Sequence, residues 1–155
     1  MALSSSTRIR GCARTVETAI QALNGGAVQA ITKTIGHADL TAAATSESIA
    51  LGTIPAGAIV LGVAASGYTP FTGGSVSACV VDIGSTGDVD AIKDGMNVLA
   101  AAVDGQPSTF TAGINPNKYF AAATVLSALF LATGDNVVNL DAGAITFRVV
   151  YIVPA

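Results

Sequence analysis

The sequence contains few charged and few aromatic residues. Only 11% of its 155 residues are charged and 5% are aromatic, and tryptophan is absent. Typical globular domains carry about 25% charged residues, so the surface of this chain must consist largely of Ala, Thr, Ser and Gly. Such a surface is tolerated in a protein that buries part of it against partners. The formal net charge of −3 argues against nucleic-acid binding through a broad basic face.

Charged residues are missing altogether between Ser48 and Val81. A membrane-spanning helix needs about 20 apolar residues with an internally bonded backbone. In the segment TIPAGAIVLGVAASGYTPFTGG, residues 53–74, glycine and proline recur too often for such a helix. Its apolar residues alternate instead, which predicts a strand with Ile59, Leu61 and Val63 on one face, between turns at 55–57 and 69–74. We therefore expect no membrane partner.

Period-two alternation predicts an all-β domain from residue 27 onward. The expected strands lie near residues 27–35, 47–53, 57–66, 75–83, 119–133 and 143–153, with turn sequences such as Asp104-Gly105 between them. The last strand is the clearest, because Ile145, Phe147, Val149, Tyr151 and Val153 share one face. This spacing is typical of an antiparallel β-sandwich or barrel. Segment 88–103 is the expected exception, with a short helix or a long covering loop.

Residues 1–26 are interpreted as an N-terminal arm, or first element, before a single domain at 27–155. Three of the seven basic residues of the chain, Arg8, Arg10 and Arg14, lie in this segment. Guanidinium groups pair with carboxylates through two parallel hydrogen bonds. These arginines are therefore the candidate partner-binding residues, placed on an arm that reaches an acidic partner.

No residues with a catalytic or metal-binding spacing stand out. The single histidine, His37, is predicted at a strand end, and no GxSxG or HExxH motif is present. One histidine and two distant cysteines, expected to be buried or half-buried thiols, do not make a zinc site. Asp88 and Asp90 have the spacing of a calcium loop, but Ile92 occupies the next ligand position. A solvated turn is the expected structure, and no enzymatic activity, cofactor or metal is predicted.

Four segments resemble a known class of protein. They are LGTIPAGAIVLGV, TPFTGGS, LATGDNVVNLDAGAITFRVVY and the proline near the end, and the similar region covers most of residues 38–154. They resemble small virion proteins of tailed bacteriophages that decorate or cement the head beside the major capsid protein. The resemblance implies a jelly-roll-like β-sandwich that forms a homo-oligomer, a dimer or a trimer. It also implies synthesis in the host bacterial cytoplasm and binding to the phage major capsid protein on the capsid exterior.

Two other functions are compatible with the sequence. A head-fibre or tail-fibre domain that binds host glycan would need exposed aromatic residues, and Tyr68, Phe71, Tyr119 and Phe120 are the candidates, although most are expected in the core. A hydrolase that uses Asp88 or Asp90 is the third interpretation, and it lacks any supporting motif.

Overall fold

The computed structural model describes residues 28–108, 115 and 117–154. The predicted arm, with Arg8, Arg10, Arg14 and Cys12, lies outside the described residues. Within them the chain forms ten strands and two 3₁₀ helices, His37–Asp39 and Val137–Asn139. The strands are β1 (Gln29–Gly36), β2 (Ser46–Ile54), β3 (Ala58–Thr72), β4 (Ala78–Ser85), β5 (Asp88–Asn97), β6 (Ala102–Val103), β7 (Gln106–Pro107), β8 (Lys118–Phe120), β9 (Thr124–Thr133) and β10 (Ala142–Ile152).

Eight of these strands form two antiparallel sheets. One sheet, called the outer sheet below, has the order β1-β10-β3-β8, and the other, the hairpin sheet, has the order β2-β9-β4-β5. The pairing is nested: β1 pairs with β10, β2 with β9, β3 with β8 and β4 with β5. A long hairpin rolled up in this way is a jelly roll of eight strands. The predicted all-β, antiparallel, jelly-roll-like sandwich is confirmed.

The hydrophobic core lies between the two sheets. In β10 the inward face consists of Ile145, Phe147, Val149 and Tyr151, all buried, as the alternation in the sequence predicted. At the centre, the rings of Phe71 in β3 and Phe130 in β9 meet edge to face with their centroids 5.7 Å apart. Aromatic pairs favour this geometry, and here the pair joins one sheet to the other.

Strand β3 departs from simple alternation, and the predicted common face of Ile59, Leu61 and Val63 is wrong. Leu61 is an extra residue in a β-bulge, because Val60 pairs with Tyr151 while Gly62 pairs with the adjacent Val150. A bulge reverses which alternate residues face the core. Val60 and Val63 are therefore buried, whereas Leu61 is 38% exposed.

Two further register shifts against β10 follow in the same strand, and they bend it around the core. As a result β3 continues through Thr72, beyond the predicted end at residue 66. The turn expected at 69–74 is shorter and begins at Gly73.

Most of the segment expected to hold a helix or covering loop at 88–103 forms β5, at the edge of the hairpin sheet, and a turn at 98–101 then leads to β6. Register shifts against β4 and the left-handed Gly95, with φ of 60°, interrupt its alternation. Ala91, Ile92 and Lys93 are consecutive and all buried, so no period of two is visible in the sequence. The prediction failed because an edge strand with bulges resembles an irregular segment.

The predicted strand at 119–133 is two strands in different sheets. Strand β8 pairs with β3, and β9 pairs with both β2 and β4. The chain crosses between the sheets at residues 121–123, which are exposed. Residues 121–123 are all alanine, so the sequence did not indicate this crossing.

The Asp104-Gly105 turn between β6 and β7 is confirmed: both residues have positive φ, as a type I′ hairpin requires.

Loops at one end of the sandwich are fixed by the carboxylate of Asp135. It accepts hydrogen bonds from the backbone N–H groups of Ser75 at 3.1 Å and Asn136 at 2.8 Å, and from Nδ2 of Asn139 at 2.6 Å. The hydrogen bond from Ser75 contributes most to holding the pKa of Asp135 below its ordinary value. The loop that precedes β10 lies so close to Gly73, where φ is 137°, that a Cβ there would clash with a backbone nitrogen of that loop.

Truncation of the central aromatic pair tests the core. Phe130→Ala should lower the free energy of unfolding by about 3–5 kcal/mol, because it removes a fully buried ring and leaves a cavity. Val125→Ala, at a position of β9 that is 49% exposed, is the control and should change stability by less than about 1 kcal/mol. Urea unfolding measures both variants, and equal losses would contradict this placement of the core.

The Asp135 contacts predict a dependence of stability on pH. Since its pKa is lowered in the folded state, its contribution is present above the unfolded pKa of about 3.9 and is lost as the pH falls through the folded value. Asp135→Asn should therefore destabilise the protein more at pH 6 than at pH 2, as measured by urea unfolding. A stability difference that is constant with pH would contradict the carboxylate's assigned role.

Candidate interaction surfaces

The solvent side of the outer sheet is a broad face with little charge. Its cross-strand rows are Ala30–Val150–Gly62, Thr32–Arg148–Ala64, Thr34–Thr146–Ser66 and Ile152–Ile59–Tyr119. Among the described residues in these rows, Arg148 alone carries a charge. The bulged Leu61 adds a partly exposed apolar side chain, and Tyr119 is 59% exposed. Apolar and small side chains gathered on one face are typical of a surface that a partner covers.

The opposite face, on the hairpin sheet, carries a shallow groove of about 170 Å³. It is lined by Ser48, Gly84, Ser85, Thr86, Val89, Ser127 and Leu129. The start of β5 lies so close to Gly84 that a Cβ there would clash with the backbone oxygen of Asp88. Glycine at this position therefore lets the β4–β5 hairpin form one wall of the groove.

The start of β5 places two carboxylates beside this groove. Asp88 forms an ion pair with Lys118 of β8 at 2.8 Å, which joins the edges of the two sheets. The hydrogen bond from Lys118 holds the pKa of Asp88 below its ordinary value. The side-chain hydrogen bond that protonated Asp90 shares with Asp88 raises the pKa of Asp90, and the negative charge of Asp88 raises it further. The two aspartates lie in a strand after the turn and not in the predicted solvated turn.

Other polar groups in the sandwich have structural roles. The hydroxyl of Tyr68 lies 2.7 Å from the carbonyl oxygens of Val98 and Ala100, and burial raises its pKa to about 12. Lys93 is fully buried and donates to the backbone oxygen of Asp94, and desolvation lowers its pKa. Cys79 is a buried free thiol, and burial raises its pKa to about 11, so little of the reactive thiolate exists at neutral pH.

Most of the residues considered for glycan binding are buried. Of the four aromatic candidates, Tyr68, Phe71 and Phe120 are buried, and Tyr119 is exposed. His37 is half-buried in the short helix that follows β1, at the predicted strand end. Within residues 28–108, 115 and 117–154, no group of three or more His, Cys, Asp or Glu side chains is arranged to hold a metal. The same residues contain no helix of the length and apolar character that a membrane crossing requires.

Of the comparisons with known proteins, the one with solved structures finds chains similar to this one. No protein-family model matches the sequence, and no match is found among curated proteins. The fold is similar to that of a chain in the capsid asymmetric unit of cyanophage Pam1, with a TM-score of 0.58 and 17% identity over 84% of this chain and 87% of that one. At this identity the likeness establishes a shared fold.

A second, weaker likeness is to a chain in the acid-stable capsid structure of Helicobacter pylori bacteriophage KHP30. Its TM-score is 0.36 and its identity 12%, over 83% of this chain and 95% of that one. This TM-score is too low to establish a common fold.

Titration of the two hairpin aspartates tests the electrostatics beside the groove. The pKa of Asp90 should lie above that of Asp88, and Lys118→Met should raise the pKa of Asp88 because it removes the ion pair. NMR of the carboxyl carbons measures both values. Lys33→Met, on the opposite edge strand β1, is the matched control and should leave both values unchanged. An unchanged Asp88 pKa in Lys118→Met would contradict the pairing.

Proposed function

We propose that this chain is a structural protein of a tailed-bacteriophage virion, which binds the outside of the capsid and cements the lattice of the major capsid protein. The observation that carries the proposal is the charge-poor solvent face of the outer sheet, built on a jelly roll. The shared fold with a chain of the cyanophage Pam1 capsid supports it. So does the sequence resemblance to head decoration proteins.

The outer face suits contact with a protein shell. A surface of Ala, Thr, Val and Ile side chains loses little hydration free energy when covered, whereas a charged face would lose much. Arg148 lies within this face and is exposed, so it supplies one group able to pair with a carboxylate on the partner. A stable contact of standard size buries about 1,600 Å² in total.

Cementing does not require tight binding at each site. In a complete shell many copies act together, and linked contacts give an avidity that exceeds the affinity of each. We propose that the protein functions as a homo-oligomer, a dimer or a trimer, which joins neighbouring capsid subunits. Arg8, Arg10 and Arg14 are proposed as further partner-binding residues that meet carboxylates of the capsid protein.

Substitution on the outer face tests the binding surface. Leu61→Glu should weaken binding to capsids that lack the protein by roughly tenfold or more, about 1.4 kcal/mol, because it places an unpaired charge in the contact. Val125→Glu, on the exposed side of β9 in the other sheet, is the matched control and should bind like the natural protein. Co-sedimentation with capsids measures both.

The cementing role is tested separately, by the temperature at which capsids release their genome. Capsids that carry the protein should release their genome at a higher temperature than capsids without it, and equal release temperatures would refute cementing even if binding is observed. If Leu61→Glu and Val125→Glu bind equally well, the outer face is not the contact surface.

The alternative function is a fibre domain that binds host glycan. The observation that favours it is the exposed ring of Tyr119, which is able to stack on a sugar. A specific glycan-array signal that Tyr119→Ala abolishes would support this alternative, and no capsid binding would accompany it.

A further inference from the structure

The β6–β7 hairpin is held firmly by the sandwich and yet is exposed. Tyr68 of β3 holds it at two points: its backbone N–H donates to the carbonyl oxygen of Gly105 at 3.1 Å, and its hydroxyl lies 2.7 Å from the carbonyl oxygen of Ala100. Residues 101–105 are nevertheless exposed, and the apolar side chain of Val103 is 54% exposed. A hairpin fixed in one conformation loses little conformational entropy when a partner covers it.

This hairpin and strand β1 lie at opposite edges of the outer sheet. Strand β3 pairs with β10 on one side, and the β6–β7 hairpin lies along its other side, beyond the short stretch that pairs with β8. Strand β1 pairs with β10 alone, so its outward edge is free within the part of the chain that the structure describes. Because hydrogen bonds between strands lie in the plane of a sheet, both elements belong to the layer of the outer sheet.

Each of these two elements carries one charged side chain, and the two charges are opposite. Lys33 in β1 and Asp104 in the turn of the β6–β7 hairpin are both exposed. Neither forms a hydrogen bond or an ion pair through its side chain with a described residue, in contrast to the engaged pair of Asp88 and Lys118. Opposite charges on two surfaces favour their association and fix its register.

We propose that the β6–β7 hairpin of one copy docks against the free edge of β1 in a second copy of this chain. Asp104 pairs with Lys33 of the next copy, and Val103 covers Ile31 of the next copy. Ile31 lies two residues from Lys33, on the same side of β1, and is half-buried. The contact therefore joins an exposed apolar side chain to a partly covered one, beside a pair of opposite charges.

The contact rests on the homo-oligomer proposed above and determines its symmetry. Since the two surfaces lie at opposite edges of one sheet, a two-fold axis does not bring them together. The contact is heterologous, and successive copies close into a ring. Of the dimer and the trimer, it selects the trimer. Rotation about an axis perpendicular to the outer sheet keeps the solvent sides of all outer sheets on one surface of the ring, where the proposed capsid contact lies.

Exchange of the two charges tests the pairing. In sedimentation velocity the natural full chain should form a trimer. Lys33→Glu and Asp104→Lys should each raise the dissociation constant for assembly by at least about tenfold, because each places two like charges in the contact. The double variant should assemble again, since it restores opposite charges. A natural chain that is monomeric or dimeric, or a folded double variant that stays dissociated, would overturn the proposal.

Matched variants separate the charge of the turn from its conformation. Asp104→Asn removes the charge and keeps a residue that tolerates the positive φ of 50° at this position, and it should weaken assembly. Asp141→Asn removes the same charge from another exposed position and should not; equal assembly of the two variants would contradict the pairing. Leu61→Glu should assemble like the natural chain, so the failure of capsid binding and the failure of this contact are distinguishable.

Disulfide cross-linking identifies which surfaces meet. In chains that carry Cys12→Ser, and in which the remaining Cys79 is buried, Lys33→Cys chains are mixed with Asp104→Cys chains and oxidised. Linked pairs should form in the mixture and in neither sample alone, and chains with both substitutions should give a covalent trimer. Linkage of Lys33→Cys chains to one another, or no linkage in the mixture, would overturn the proposal.

Discussion

Hydrogen bonding between strands that lie far apart in the chain is the constraint on which the rest of this structure depends. Strand β1 pairs with β10 in unbroken register from Gln29 to Gly36, and the nested pairs inside it fold the sequence back on itself. Pairing fixes which residues face inward, because side chains alternate along each strand. The core, the neutral outer face and the position of the hairpin beside β8 all follow from it.

The sequence predicted those features of the fold that alternation and turn chemistry determine locally. The inward face of β10 and the Asp104-Gly105 turn were correct because each depends on a few adjacent residues. The inward face of β3 was not, since Leu61 becomes an extra residue only when Val60 and Gly62 pair with adjacent residues of β10. Strand β5 was missed for the same reason: its bulges depend on β4 and leave no regular period.

Much less of the candidate surface was predictable. The low charge of the chain indicated a neutral exterior, and the structure shows such a face on the outer sheet, where Arg148 is the one charged residue in the described cross-strand rows. The pairing of Asp88 with Lys118 joins residues 30 positions apart in the chain, and no local pattern indicates it. The groove arises where β2, β9 and the β4–β5 hairpin meet, which requires the complete sheet. Apolar content alone did not identify which of the aromatic candidates would be exposed.

The central claim is that a jelly roll with a neutral face covers the exterior of a phage capsid. Electron cryomicroscopy of intact phage particles tests it most directly. The account predicts density for this β-sandwich on the outer surface of the shell, repeated over the lattice, with the β1-β10-β3-β8 sheet against the major capsid protein. Density for the chain only in the tail or fibres, or a shell-bound domain whose outer sheet faces solvent, would contradict it.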